Sequence, residues 1–265
     1  MKYVLVTGAY GGMGKAVVKK LIDNGYTVFA LDKVVENGNE RVIPIETDLT
    51  NVDSIKNAFN KVTAVTKNLY GIVHFAGIYM LDSLIEIENN DFERIFKVNF
   101  FSTFYVNKIF MPLMKQGCRI IMTTSELAPL NPLPFTGVYA ITKSTLDKYA
   151  FSLKMELQLL GVHVSVLRAG AVSTKMLGVS TDALDKFCEK TTNYKCNAKR
   201  FKMIVNSIES KSVLPEKIAE KTFKILQKKK PKFKYSINRN KLLLLLNILP
   251  IRLQFWIIKN ILKNS

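Results

Sequence analysis

Histidine is almost absent from this chain, with only His74 and His163 among 265 residues. The three cysteines, Cys118, Cys188 and Cys196, form no Cys-x-x-Cys pair and have no histidine set beside them. A zinc site therefore has too few ligands, no metal is expected, and free thiols in a reducing cytoplasm are the expected state. Long apolar runs are scarce too. The opening Met1-Lys2-Tyr3-Val4-Leu5-Val6 is too short for the core of a secretory signal and leads straight into glycines, so no secretory segment is expected. The longest uncharged stretch near the other end, residues 242–251, holds Asn247 and Pro250 and falls well short of the roughly 20 residues that cross a bilayer. Acidic residues are missing from one region in particular. Residues 186–265 carry 20 Lys+Arg against 4 Asp+Glu, whereas residues 1–185 carry 19 against 17. A basic tail of this kind attracts nucleic acid or an anionic membrane, or is a solvated lysine-rich face. No motif for reading nucleic acid accompanies the charge, so nucleic acid is not an expected partner.

What is present is an apolar framework, 48% of the chain, enough for one large globular domain. Strands are predicted at residues 2–7, 27–32, 41–46, 71–75, 119–124 and 162–168. Several are near-continuous Val/Ile/Leu runs, as strands buried on both faces require. Helical spacing separates them; at residues 13–24, Val17, Val18, Leu21 and Ile22 fall on one side and Lys15, Lys19 and Lys20 on the other. Repeated β-α-β order predicts an α/β fold, a single Rossmann-like, doubly wound parallel sheet flanked by helices. No repeat or long linker divides the chain. Residues 174–212 are polar and helical in patches, Pro215 opens a helix over 216–229, and residues 231–237 read as a last short strand. Residues 1–240 are thus expected to form the domain. Residues 241–265 form an amphipathic basic C-terminal tail of the same domain, packed on the protein or lying in a membrane interface, with packing preferred.

Directly after the first strand stands Thr7-Gly8-Ala9-Tyr10-Gly11-Gly12-Met13-Gly14, followed by a helix. Glycines let the backbone turn tightly and approach a pyrophosphate, and the helix start offers free N–H groups with a favourable dipole. Asp32 ends the second strand, where a carboxylate accepts the adenosine ribose hydroxyl protons and repels a 2′-phosphate. No Arg or Lys lies inside the loop, so NAD is expected ahead of NADP, with Lys33 as the residue that softens the preference.

At this point the sequence resembles the short-chain dehydrogenase/reductase family over roughly residues 1–240. The loop Gly8-x-x-x-Gly12-x-Gly14 fits the family's usual coenzyme turn, and Gly11 also allows the longer epimerase-like spacing. Asp48-Leu49 stands where the family contacts adenine. His74-Phe75-Ala76-Gly77 replaces the family's Asn-Asn-Ala-Gly, leaving Ala76 and Gly77 as backbone contacts. Asn99, Ser125 and Tyr139-x-x-x-Lys143 follow in the family's order. Arg168-Ala169-Gly170-Ala171-Val172-Ser173-Thr174 stands at its Pro-Gly turn, giving Gly170, Val172 and Thr174 as coenzyme contacts. Tyr-x-x-x-Lys alone carries little, since roughly one such pair is expected by chance in this composition. Its weight comes from standing 14 residues after a strand-ending serine.

Tyrosine and lysine four apart share one helix face, and an ammonium beside a phenol is expected to lower the phenol pKa from about 10 toward neutrality. The resemblance implies catalysis by Ser125, Tyr139, Lys143 and Asn99. Tyr139 moves the alcohol proton, Ser125 steadies the substrate oxygen, Lys143 supports ionisation and holds the nicotinamide ribose, Asn99 anchors a water, and Thr174 holds the carboxamide. The coenzyme set is Gly8, Tyr10, Gly11, Gly12, Met13, Gly14, Asp32, Asp48, Leu49, Ala76, Gly77, Tyr139, Lys143, Gly170, Val172 and Thr174. The implied activity is hydride transfer between NAD(H) and a small-molecule alcohol or ketone, in a homodimer or homotetramer. Leu127, Leu130, Leu133, Phe135, Met176 and Leu177 point to a hydrophobic substrate, steroid- or lipid-like. The rival readings are a non-catalytic NAD-binding regulator and a peripheral membrane dehydrogenase that uses the basic tail.

Overall fold

The computed structural model describes residues 2–208 and 212–263, with residues 175–181 and 206–208 described by backbone alone. The strands are β1 (Lys2–Thr7), β2 (Tyr26–Asp32), β3 (Val42–Glu46), β4 (Leu69–His74), β5 (Met114–Ser125), β6 (His163–Ala169) and β7 (Lys234–Ile237). They form one parallel sheet in the order β3-β2-β1-β4-β5-β6-β7. The expected Rossmann-like α/β sheet is the one observed. Val4, Leu5 and Val6 of β1, and Val28 through Leu31 of β2, are fully buried. Both faces are covered, which is why these strands read as unbroken apolar runs.

One face packs on α2 (Val52–Val65), α4 (Ser102–Phe110) and α5 (Gly137–Leu157), through residues such as Leu5, Ile55, Ile72, Phe110 and Leu146. The other packs on α1 (Gly12–Ile22) and α8 (Pro215–Gln227), through Val6, Val17, Leu21, Ile218 and Leu226. From β1 the chain winds outward to β2 and β3, then crosses to β4 on the opposite side. The strand order therefore reverses between β1 and β4, and a crevice opens at their carboxyl ends, the usual ligand position in such sheets.

The strands begin within two residues of expectation except for two. β5 begins at Met114 because its pairing with β4 slips between Leu69 and Gly71, where Gly117 takes a left-handed turn at φ +85. β7 begins only at Lys234, and ahead of it the Lys232 N–H turns to the Tyr235 phenol oxygen at 2.8 Å. Between α3 (Asn89–Phe96) and α4, residues Lys97–Phe101 widen into a π turn that contains Asn99.

A third apolar cluster lies beyond the sheet. Leu81, Phe135, Leu184, Phe187, Ala198, Phe201 and Leu262 unite the loops after β4 and β5 with α6 (Lys175–Lys190), α7 (Lys195–Ile208) and α10 (Ile251–Leu262). The tail packs on the protein through this cluster and through Asn197 Nδ2, which donates to the Leu262 carbonyl at 2.6 Å. Its first helix, α9 (Lys241–Ile248), starts on Asn240, whose side chain accepts from the N–H groups of Leu242 and Leu243. Pro250 separates α9 from α10.

Candidate active site

The turn after β1 is determined by close backbone approach. Gly8 holds φ +65, and a Cβ there would sit 2.6 Å from the Ala76 nitrogen. A Cβ at Gly14 would stand 2.0 Å from the Gly8 carbonyl oxygen. Only glycine fits either position, and α1 can then start at Gly12, with Gly11 as its N-cap in extended conformation. A Cβ on Gly11 would meet nothing nearer than the Gly8 oxygen at 3.4 Å, so this part of the loop is open to a ligand. Gly12 faces the Thr174 side chain, 2.7 Å from where its Cβ would be, which brings the loop against the segment after β6.

At the end of β2, Asp32 accepts the Tyr10 backbone N–H at 2.9 Å and that of Lys33 at 2.8 Å. Tyr10 leans toward Glu36, donating to its carbonyl at 3.4 Å, and Glu36 pairs with Lys15. Lys33 is drawn away to Asp48, at 3.0 Å. The cation that could soften the acidic wall is therefore engaged elsewhere. Asp48 also accepts from the Thr50 hydroxyl at 2.6 Å, while the Leu49 side chain is buried in the core cluster.

The sequence departure at His74 has a structural explanation. Its ring is buried, with Nε2 2.9 Å from Asn107 Oδ1 and Nδ1 3.5 Å from Thr7 Oγ1. Thr7 Oγ1 in turn receives the Ala76 N–H at 3.5 Å. The network assigns the proton to Nε2, and burial pushes the imidazole pKa down to about 4 against that hydrogen bond. His74 thus ties β4 to β1 and α4 as a neutral ring.

Ser125, Tyr139 and Lys143 border a single cavity of about 620 Å³, together with Met13, Gly77, Gly170, Val172 and Thr174. Ser125 comes from the last position of β5, and Tyr139 and Lys143 from the first turns of α5. The Ser125 hydroxyl accepts the Leu127 N–H at 3.2 Å and borders the same cavity as the Tyr139 phenol. Lys143 Nζ lies 5.7 Å from the Tyr139 ring centroid and donates to the Thr123 carbonyl at 3.3 Å. Asn99 sits one step behind. Its Oδ1 accepts the Ile78 N–H at 2.8 Å, and its Nδ2 donates to the Ile78 carbonyl at 3.0 Å and the Thr142 hydroxyl at 3.1 Å. A Cβ on Gly77 would be 3.3 Å from both Asn99 Oδ1 and Lys143 Nζ, so Gly77 leaves room where these two groups approach each other.

One expectation is corrected. Tyr139 is not a lowered phenol here, because burial pushes it up to about 12 against the opposing influence of the nearby Ser125 hydroxyl. The same burial brings Lys143 down to about 8. An apolar surround disfavours both charged forms, and Lys143 addresses a carbonyl rather than the phenol oxygen. Part of that surround is Tyr79, whose ring centroid is 4.9 Å from that of Tyr139.

Sequence reasoning missed several participants. Asp147 accepts Arg168 Nε at 2.9 Å and Nη2 at 2.6 Å, a nearly buried two-bond pair fastening α5 to β6. Its position four residues beyond Lys143, on the same helix face, was a usable signal. The substrate wall departs further from expectation. Leu127 and Leu133 line the cavity, whereas Leu130 does not, and Phe135 turns into the third cluster through a left-handed backbone at φ +66. The side chains of Met176 and Leu177 lie outside the described residues. The missing wall is supplied by Phe201, Ile204 and Val205 of α7 and by residues 238–243. Glu126, the residue after Ser125, accepts the Asn240 backbone N–H at 2.5 Å and so holds this last segment in place. Nothing local in the sequence signals such contacts between distant segments.

A serine, a tyrosine and a lysine set around one end of a crevice, with a glycine-bent βα turn at the other, are the parts of a dinucleotide-dependent oxidoreductase. The family model described as short chain dehydrogenase matches residues 2–185, and the chain belongs to that family. Estradiol 17-beta-dehydrogenase 2 of Mus musculus is 34% identical over 197 residues, covering 70% of this chain and 51% of that protein. The chain therefore spans about half the length of that relative. Among solved structures, a short chain dehydrogenase family protein from Francisella tularensis subsp. tularensis SCHU S4 matches with a TM-score of 0.75 at 24% identity, over 89% of this chain and 97% of that one. A short chain dehydrogenase from Burkholderia cenocepacia J2315, in complex with NADP, matches with 0.74 at 18% identity over 100% of both. Both likenesses concern the fold.

The residues present fit the coenzyme type that this family uses. Gly11 leaves a cradle open above the helix start, Asp32 presents a carboxylate at the adenosine end, and the buried Lys143 ammonium has one carbonyl partner beside the cavity. Asp32 and Lys143 would hold the two riboses of such a coenzyme, and the N-terminus of α1 its pyrophosphate.

Proposed function

We propose that the protein interconverts a secondary alcohol and a ketone on a hydrophobic small molecule, with NAD(H) as coenzyme. The observation that carries this reading is the meeting of the Ser125 hydroxyl, the Tyr139 phenol and the Lys143 ammonium on one apolar-walled cavity. The dinucleotide, when bound, supplies or accepts the hydride. Ser125 donates a hydrogen bond to the substrate oxygen and holds it beside the phenol. In the reductive direction Tyr139 gives its proton to that oxygen, and Lys143, with Asn99 behind it, favours the resulting phenolate until it is reprotonated.

The raised phenol pKa gives this proposal a pH signature. A phenol held up to about 12 is protonated at neutrality, the form that reduction consumes. Oxidation needs the phenolate and should quicken as pH rises. Reduction should fall above about pH 8, where Lys143 loses its proton and its support for the phenolate. Opposite pH trends for the two directions, followed by nicotinamide absorbance, are the expected outcome; parallel trends contradict the assigned roles. Tyr139→Phe should lose roughly a hundredfold or more in turnover, within the usual range for a positioned acid–base group. Turnover within tenfold of the parent would remove Tyr139 from the proton path.

Support for NAD comes from Asp32 and Glu36 beside Tyr10, with Lys33 occupied by Asp48. A side-by-side comparison of NAD and NADP with a panel of secondary alcohols tests coenzyme and substrate class together. The relative named for estradiol supports including steroid-like alcohols in that panel. A regulator without turnover is the weaker reading, since it has no use for an intact serine, tyrosine and lysine. Pairing of two copies through the outer faces of α4 and α5 is supported by the exposed Phe151 and Met155 of α5 and by Phe101, which precedes α4. Sedimentation of Phe151→Asp, expected as a monomer, tests it. The three free thiols support a cytoplasmic setting.

A further inference from the structure

The last helix of the described chain buries one polar side chain as well as Leu262 and leaves two aromatic ones exposed. In α10 the polar Gln254 is buried, while Phe255 is 72% and Trp256 62% exposed. Gln254 is satisfied within the protein, donating to the Leu249 carbonyl at 2.8 Å and accepting from Asn131 Nδ2 at 3.0 Å. The outward face carries Leu253, Phe255, Trp256 and Ile261, and Arg252 and Lys259 flank the two aromatics at helical spacing. In α9, Leu242, Leu245 and Ile248 are likewise exposed. Water is a poor neighbour for so many large apolar side chains on two consecutive helices.

Charge decides which neighbour fits. Residues 239–263, which include α9 and α10, contain 5 Lys+Arg and no Asp or Glu. A second copy of the chain would bring a like-charged face against this one, whereas a bilayer with anionic headgroups offers opposite charge above an apolar interior. Aromatic and aliphatic anchors with basic residues between them suit the headgroup boundary. No described helix is long and apolar enough to cross a membrane, so the fit is to its surface. The surface is also continuous with the proposed site. Arg239, Lys241, Leu242 and Leu243 line the cavity, and Leu242 belongs both to its wall and to the exposed face.

We propose that α9 and α10 seat the protein on an anionic membrane surface with the mouth of the cavity toward the lipid, so that the hydrophobic alcohol or ketone enters from the bilayer. This rests on the proposed function for the nature of the substrate, and on the tail alone for the docking. Trp256 is the chain's single tryptophan, so its fluorescence reports the docking face without any turnover. The full chain is mixed at low salt with phosphatidylcholine vesicles, with or without phosphatidylserine.

The expected result is a blue shift of Trp256 and co-flotation with the phosphatidylserine vesicles only, both weakened by salt. Arg252→Gln with Lys259→Gln should weaken the partitioning roughly tenfold or more, and Phe255→Ser by a similar factor, with the melting temperature and the turnover of a water-soluble ketone unchanged. An unshifted Trp256 overturns the proposal, as does equal binding to both vesicle types or unaltered binding by the variants. Dimers abolished by Phe255→Ser without any vesicle response overturn it in favour of a second copy. Vesicle binding by a chain that turns over no alcohol or ketone leaves the docking standing and removes the enzymatic reading.

Discussion

The two ends of the cavity are made of different material. At the coenzyme end the close contacts are backbone against backbone, Gly8 against Ala76 and Gly14 against Gly8, with the Tyr10 N–H held by the Asp32 carboxylate. At the substrate end the wall is side chain, drawn from the loop after β5, from α7 and from residues 238–243. The first kind of contact tolerates almost no substitution. The second can be rewritten without disturbing the first, which is what a fold needs if one reaction is to serve many substrates.

The contrast can be broken most severely where the two ends are joined. Asp147→Ala leaves Arg168 with an unpaired buried charge and frees α5 from β6, at a cost of about 3–5 kcal/mol. A large fall in melting temperature together with loss of activity is the expected outcome, and a stability within about 1 kcal/mol of the parent would show that the pair is dispensable. Gly14→Ala strikes the coenzyme end alone. Its methyl cannot fit 2.0 Å from a carbonyl oxygen, so coenzyme affinity should drop by roughly a hundredfold, about 3 kcal/mol, as measured by titration.

His74→Asn sharpens the comparison from the sheet side. A folded-state pKa of about 4, below the ordinary 6.5, means that the unfolded chain takes the proton first as pH falls. Stability contributed by the neutral ring is present above about pH 6.5 and is lost on descending toward pH 4, by up to about 3 kcal/mol. The asparagine variant should flatten that part of the denaturation profile and leave neutral pH nearly unchanged. The smallest effect belongs to the substrate end. Glu126→Ala releases Asn240 and should raise KM roughly tenfold, within the worth of a hydrogen bond to a charged group, with coenzyme dissociation unaltered.

The same division governs what could be read from the sequence. The sheet, its order of elements and the glycine turn follow from local rules: apolar runs for buried strands, 3.6-residue spacing for helices, and glycine where a Cβ would collide. Ser125, Tyr139 and Lys143 were legible because a strand end and a helix start fix them at a set interval, and the structure brings them to one cavity. Burial was not legible in the same way. The spacing of Tyr139 and Lys143 promised a lowered phenol, but the apolar surround, Tyr79 included, raises it. Phe135 reads as a pocket residue until its left-handed backbone turns it into the aromatic cluster with Phe187, Tyr194 and Phe201. The Glu126–Asn240 contact spans more than a hundred positions, and no periodicity within either segment encodes it.

That contact makes the tail a mechanical part of the reaction chamber. A carboxylate one peptide bond from Ser125 grips the lead into the terminal helices, so a pull on those helices reaches the serine through a single side chain. Whatever grasps the tail from outside holds a handle on the substrate pocket, while the glycine turn across the sheet is left undisturbed.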